Sequence, residues 1–294
     1  ATTSTIRFTC TSSGAETFVD FVGGTVQEIV VNGTSLDPAE YYRDSRVRIP
    51  DLLADNEVTI RATGHYTNTG EGLHRFVDPV DGEVYLYSQF EVPDCRRMFP
   101  VFEQPDLKAS YQFTVTAPEH WQVISNAPTP TPEPVRAGVA RWAFPDTERF
   151  SSYISALVAG PYAVMRDSVT TRAGEIPLGI FCRRSLVDYL DHENLFSLTK
   201  TGFAWFEEEF DQAYPFTKYD QLFVPEYNGG AMENVGCVTF HETYVFRSRP
   251  TEAIVERRAL TLLHELAHMW FGDLVTMKWW NDLWLNESFA EWAS

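Results

Sequence analysis

The 294 residues are 44% apolar and 14% aromatic, a length and composition that suit about two globular domains, each burying its own core. Lys plus Arg number 23 against 41 Asp plus Glu, and the net charge of −18 disfavours a nucleic-acid backbone or an anionic membrane surface as partner. No apolar run is long enough to span a bilayer, and Cys10, Cys95, Cys182 and Cys237 stand apart with no C-x-x-C spacing, which argues against a zinc ribbon or a disulfide framework and for a reducing, cytoplasmic setting.

Residues 1–184 read as an all-β domain. Ile6, Phe8 and Cys10 alternate with polar neighbours, and Glu28–Val31 runs into an Asn32-Gly33 turn. Glu57–Ala62, Val84–Phe90, Tyr111–Thr116 and Val139–Phe144 have the same strand character. The run Pro128–Pro134 predicts extended backbone in a surface loop between strands. From 185 a second domain is expected, opening on a helix over Asp188–Phe210 whose apolar residues recur at helical intervals. Tyr214-Pro215 closes it, and short strands follow at Gln221–Val224 and Cys237–Phe240.

A further helix is predicted from near Glu252, with Gly272 as its C-cap, and another over Leu285–Trp292. The first of these carries His264-Glu265-Leu266-Ala267-His268. Four residues return a helical side chain to nearly the same face, so the two imidazoles can share one ion. Glu265 leaves the axis about 100° away, beside the ion and outside its ligand shell, where a general base belongs. Two histidines and a glutamate form one of the usual catalytic zinc sets, and Glu287, after eighteen intervening residues, would complete it.

Gly229-Gly230 alone would be a turn. Gly230-Ala231-Met232-Glu233-Asn234 ahead of H-E-x-x-H-x18-E resembles the aminopeptidase N family of zinc gluzincins. The match continues through Trp270–Thr276 and Trp284–Glu287 and into Arg97–Ala109 of the first domain. The resemblance implies an α+β chain: an N-terminal all-β, saddle-like sheet domain over 1–184, then a thermolysin-like zinc peptidase domain over 185–294, incomplete after the third ligand. It implies one Zn2+ on His264, His268 and Glu287, with Glu265 as the base for a metal-activated water.

Glu233 is implied to bind the free α-ammonium of a peptide, with Gly230, Ala231 and Met232 as the edge along which substrate lies. Gln89 and Glu91 are implied to reach the cleft near the substrate's amino terminus, although the residues alone would place them on a solvent-facing strand. Family members carry an oxyanion-stabilising tyrosine well beyond the third ligand, so the chain is expected to be an N-terminal portion of a longer enzyme, poorly active alone. The rival readings are a zinc endopeptidase, against which Glu233 argues, and a non-catalytic peptide-binding module.

Glu291 is expected as an exposed helix carboxylate, although it could orient a ligand histidine. His65, His74, His120, His192 and His241 are expected at the surface or in loops. Trp279, Trp280, Trp284 and Trp292 are expected to pack on the metal helix.

Overall fold

The computed structural model describes residues 1–294. In the first 160 residues the only α-helical segment is a single turn, α1 (Pro38–Tyr41), and the strands are distributed over four antiparallel sheets. Thr2–Thr9, Asp55–Thr63, Thr25–Val31 and Thr34–Leu36 form one, in that spatial order, and Thr17–Asp20, Arg46–Ile49 and Tyr42–Arg43 form the second. Alternation drives their burial: along Asp55–Thr63 every second residue is turned inward, so Val58 and Ile60 meet Val19, Ile29, Val47 and Ile49.

Gln122–Ser125, Leu157–Gly160, Val84–Gln89 and Gly72–Val77 make the third sheet, which brings Gln89 and Glu91 toward the second half of the chain. Thr114–Pro118, Val139–Ala143 and Glu133–Arg136 make the fourth, packed over Val123, Trp142, Phe144 and Leu157. The strand expected from Tyr111 begins at Thr114, because the Tyr111 ring stacks on Phe150 and its N–H donates to Thr147 Oγ1.

The boundary expected at 184 moves to about 160. The hairpin Ala163–Thr171/Gly174–Cys182 belongs to a five-stranded mixed sheet that continues with Tyr219–Val224, Cys237–His241 and Ala231–Met232. Leu178–Phe181 pairs in parallel with Tyr219–Leu222, and these strands share the largest core with the helices. A run of β-favouring residues does not reveal which sheet it joins.

Helix α2 spans His192–Glu209 and buries Leu195, Phe196, Thr199, Phe203 and Phe206. Residues Arg184–Tyr189 form a tighter 3-10 segment, and Leu190 is extended, so α2 starts later than its apolar pattern suggests. Helix α3 (Glu252–His268) crosses α2 at Gly202, where a Cβ would lie 2.7 and 2.8 Å from Leu263 and Leu266 methyls. Buried Arg258 ties α3 to the start of α2 by hydrogen bonds to Asp191 and Asn194.

α3 ends at His268, four residues before the expected cap. The chain then turns back through bonds from Asp273 N–H to His268 O and from Leu274 N–H to Met269 O. Gly272, at φ 127°, serves a close approach instead: a Cβ there would meet Asn286 at 2.9 Å and His268 at 3.1 Å. Helix α4 (Leu283–Ala293) buries Asn286 and Ala290, with the Phe289 ring 3.6 Å from that of Phe271. The expected tryptophan packing is corrected: Trp279, Trp284 and Trp292 are exposed, Trp292 touching only the Phe289 ring of its own helix, and Trp280 packs edge-on against Tyr153 and not on α3. No helix is long and apolar enough to cross a membrane.

Candidate metal centre and substrate cleft

One turn of α3 places His264 Nε2 and His268 Nε2 3.0 Å apart. α4 brings Glu287 to them, with Oε2 3.5 Å from His264 Nε2 and Oε1 3.7 Å from His268 Nε2. Ligands held about 2.0–2.2 Å from a tetrahedral zinc lie roughly 3.3–3.6 Å from one another, so this triangle of donors has the right size. These three residues alone form a cluster with metal-ligand geometry.

Electrostatics support the same reading. His268 Nδ1 donates to the Phe271 carbonyl at 2.9 Å, which leaves the Nε2 lone pair facing His264 and Glu287. Burial lowers the His268 pKa to about 4 and keeps the ring neutral, the form that ligates. Burial alone would raise Glu287, but the hydrogen bond from His264, with attraction to either histidine when it is protonated, holds it below its ordinary value. Glu291, read from sequence as a solvent carboxylate, is largely exposed yet stands 3.6 Å from His264 Nδ1.

Three more carboxyls face this centre. Glu265 is buried, its Oε2 has no hydrogen-bond partner, and burial followed by Glu287, Glu91 and Asp273 pushes its pKa well up. Glu233 follows the edge strand Ala231–Met232 and is only 3% exposed, with Oε1 unpartnered. Burial, then Glu91, Glu287, Glu265 and Asp273, raise it too. Glu91 rises to about 7 through burial and Glu287, with His264 opposing.

A buried cluster of this much acid with orphaned acceptors is built for cations: a dication at the three donors and an ammonium at Glu233 would both relieve it. The donor set thus fits zinc on grounds internal to the fold.

Gln89 reaches the cleft through Tyr227, whose OH donates to Gln89 Oε1 at 2.7 Å. Ala231–Met232 pairs with Thr239–Phe240 on one side and closes the sheet order, so no strand pairs with its other edge, where the Ala231 carbonyl lies 3.3 Å from the Tyr227 OH and an extended peptide could add. Gly230 is not crowded: a Cβ would find nothing nearer than Tyr244 OH at 3.7 Å.

The structure therefore gathers His264, His268, Glu287, Glu265, Glu233 and Glu91, with Gln89 beside them. Sequence reasoning missed Tyr153, fully buried with an unpartnered OH, and the carboxyl of Asp273, fully buried with both oxygens unpartnered. Asp273 lay inside a quoted motif, but nothing in its neighbours marks it as buried. His74, expected at the surface, is also fully buried.

An α+β chain in which an N-terminal β domain contributes to a two-histidine, one-glutamate centre defines a metallopeptidase architecture. The family model described as Peptidase family M1 domain matches residues 195–294, and that described as Peptidase M1 N-terminal domain matches 2–154. The chain belongs to peptidase family M1.

It is 58% identical over 290 residues to Aminopeptidase N of Streptomyces lividans, covering 98% of this chain and 33% of that protein. It is 36% identical over 240 residues to Aminopeptidase Ey of Gallus gallus, covering 79% of this chain and 24% of the relative. Aminopeptidase N of Acetobacter pasteurianus is 30% identical over 305 residues, covering 95% of this chain and 84% of the relative. The chain thus spans a third or less of the length of the first two.

Proposed function

We propose that this chain carries the metal centre and the substrate anchor of a zinc-dependent aminopeptidase that removes the first residue from peptides with a free amino terminus, with one Zn2+ held by His264, His268 and Glu287. The observation that carries the reading is a buried, unpartnered carboxyl at Glu233 within electrostatic reach of Glu287 in that donor triangle. An aminopeptidase must hold an ammonium at a fixed distance from the reacting carbonyl, and an endopeptidase has no use for such an anchor.

When bound, zinc would supply Lewis-acid polarisation of the scissile carbonyl and acidify the attacking water. Glu265, one residue from the first ligand, accepts the proton of that water and passes it to the leaving amine. Glu233 and Glu91 accept hydrogen bonds from the substrate ammonium. The Gly230–Met232 backbone pairs with the extended peptide, and Gln89 borders the same end of the cleft. The enclosed, acid-rich setting strengthens each of these interactions. Four unpaired thiols favour a cytoplasmic location as part of this proposal.

The test compares a peptide with a free amino terminus against its N-acetylated form on the zinc-loaded protein. Cleavage of the free form alone supports the reading. Equal cleavage of both points to an endopeptidase, and zinc-free, inert protein that still binds peptide points to a binding module.

A further inference from the structure

The residues just before the substrate edge are gripped one after another by the first domain. His74 is fully buried on the strand Gly72–Val77, stacked on the Tyr87 ring with centroids 4.8 Å apart. Its Nδ1 accepts from the Gly70 N–H at 3.0 Å, so in the neutral ring the proton sits on Nε2. That Nε2–H faces Glu226 Oε2 at 3.1 Å, and the Tyr87 OH donates to the Glu226 carbonyl at 3.1 Å.

Glu226 itself has φ 53°, a left-handed conformation uncommon for a residue with a side chain, and it reverses the chain as it leaves the strand Tyr219–Val224. Next along, Tyr227 OH bonds Gln89 Oε1, and Asn228 Nδ2 donates to the Thr69 carbonyl. Asn228 lies where a side chain on Gly70 would have to go. Three residues later comes the edge Ala231–Met232, followed by Glu233.

We infer that His74 is a positioning residue for the substrate edge, acting through the turn at Glu226. The Glu226 side chain is about half exposed and would otherwise be free in water, while His74 is locked by burial, stacking and the Gly70 bond. The rigid partner therefore sets the place of the mobile one. A turn held at Glu226 fixes the register in which residues 229–233 leave the domain junction, and with it the distance from Glu233 to the metal donors. The inference rests on the aminopeptidase reading for its consequence in the cleft, but the mechanical link can be tested without it.

Amide hydrogen exchange on the metal-free full chain tests the link. Glu226→Ala removes the acceptor and keeps the same backbone requirement, and exchange across 227–233 should accelerate about fivefold, the equivalent of one ordinary hydrogen bond. Glu226→Gln keeps an acceptor oxygen and should stay within about twofold of the parent. The double variant His74→Ala/Glu226→Ala should exchange there no faster than His74→Ala alone, because the two residues act as one unit. Residues 255–268 of α3 should be unaffected.

On the zinc-loaded chain, Glu226→Ala should weaken binding of L-leucinamide about fivefold with zinc retention unchanged. Exchange across 227–233 that matches the parent in Glu226→Ala overturns the inference, as does an additive double variant. If the parent chain binds neither zinc nor L-leucinamide, the aminopeptidase reading falls, and the exchange comparison still decides the role of His74.

Discussion

Replacing Glu91 by glutamine should change how the metal-free protein responds to pH. Burial and the nearby Glu287 carboxylate carry the Glu91 carboxyl from its ordinary 4.5 to about 7 in the folded chain. Below pH 4.5 both folded and unfolded chains hold this proton, and the group has no effect on stability. Between 4.5 and 7 the folded chain retains a proton that the unfolded chain has released, so stability falls as pH rises, by about 1.4 kcal/mol per pH unit. Above 7 the loss is complete, at about 2–3 kcal/mol once the solvent reaching this incompletely buried group is allowed for.

Glutamine keeps the shape and carries no charge. Urea unfolding in the presence of a chelator should therefore show Glu91→Gln and parent nearly equal at pH 4.5, with the variant ahead by about 2–3 kcal/mol at pH 8. An offset that does not vary with pH would refute the argument, because it would show that packing and not ionisation separates the two proteins.

Other substitutions probe the neighbouring groups. Glu233→Gln should reduce kcat/KM on free-amino peptides about 100-fold, the worth of a charge-assisted hydrogen bond in a buried site, and narrow the preference over acetylated substrate; steady-state kinetics on both substrates checks this. Asp78 is fully buried against Arg183, which also pairs with Glu242 at 2.7 Å, so Asp78→Ala should cost about 3 kcal/mol by urea denaturation. Gly202→Ala should push α2 from α3 at Leu263 and Leu266, lowering stability by about 1–3 kcal/mol and weakening zinc retention in a chelator competition.

Features governed by local periodicity could be read directly. The start of α3 and the spacing of His264 and His268 follow from one helical repeat, and Glu287 falls on the helix that the sequence places after it; the end of α3 does not, because Gly272 serves a close approach and not a cap. Sheet membership could not be read, because Ala163–Cys182 has the same residue character as the strands before it and joins a different sheet.

His74 shows a subtler loss. Alternation along Gly72–Val77 turns residues 72 and 74 inward, but a histidine with no partner at a ligand spacing gives no local sign of burial, and its partner Glu226 lies far along the chain. The arrival of Glu91 and Glu233 at α3 depends on pairings between strands far apart in the chain, and only the family resemblance anticipated it. Trp284 and Trp292 were misplaced because size and apolar character say nothing about which side of α4 meets α3, a choice settled by Asn286, Phe289 and Ala290.

The central claim is that two imidazoles and one carboxylate from α3 and α4 share a single zinc ion. The zinc K-edge X-ray absorption spectrum of the full chain reconstituted with one equivalent of zinc tests it most directly. The account predicts two imidazole nitrogens and carboxylate or solvent oxygen at about 2.0–2.2 Å, with one imidazole lost in His268→Ala. Sulfur in the first coordination sphere, or a spectrum unchanged in His268→Ala, would contradict it.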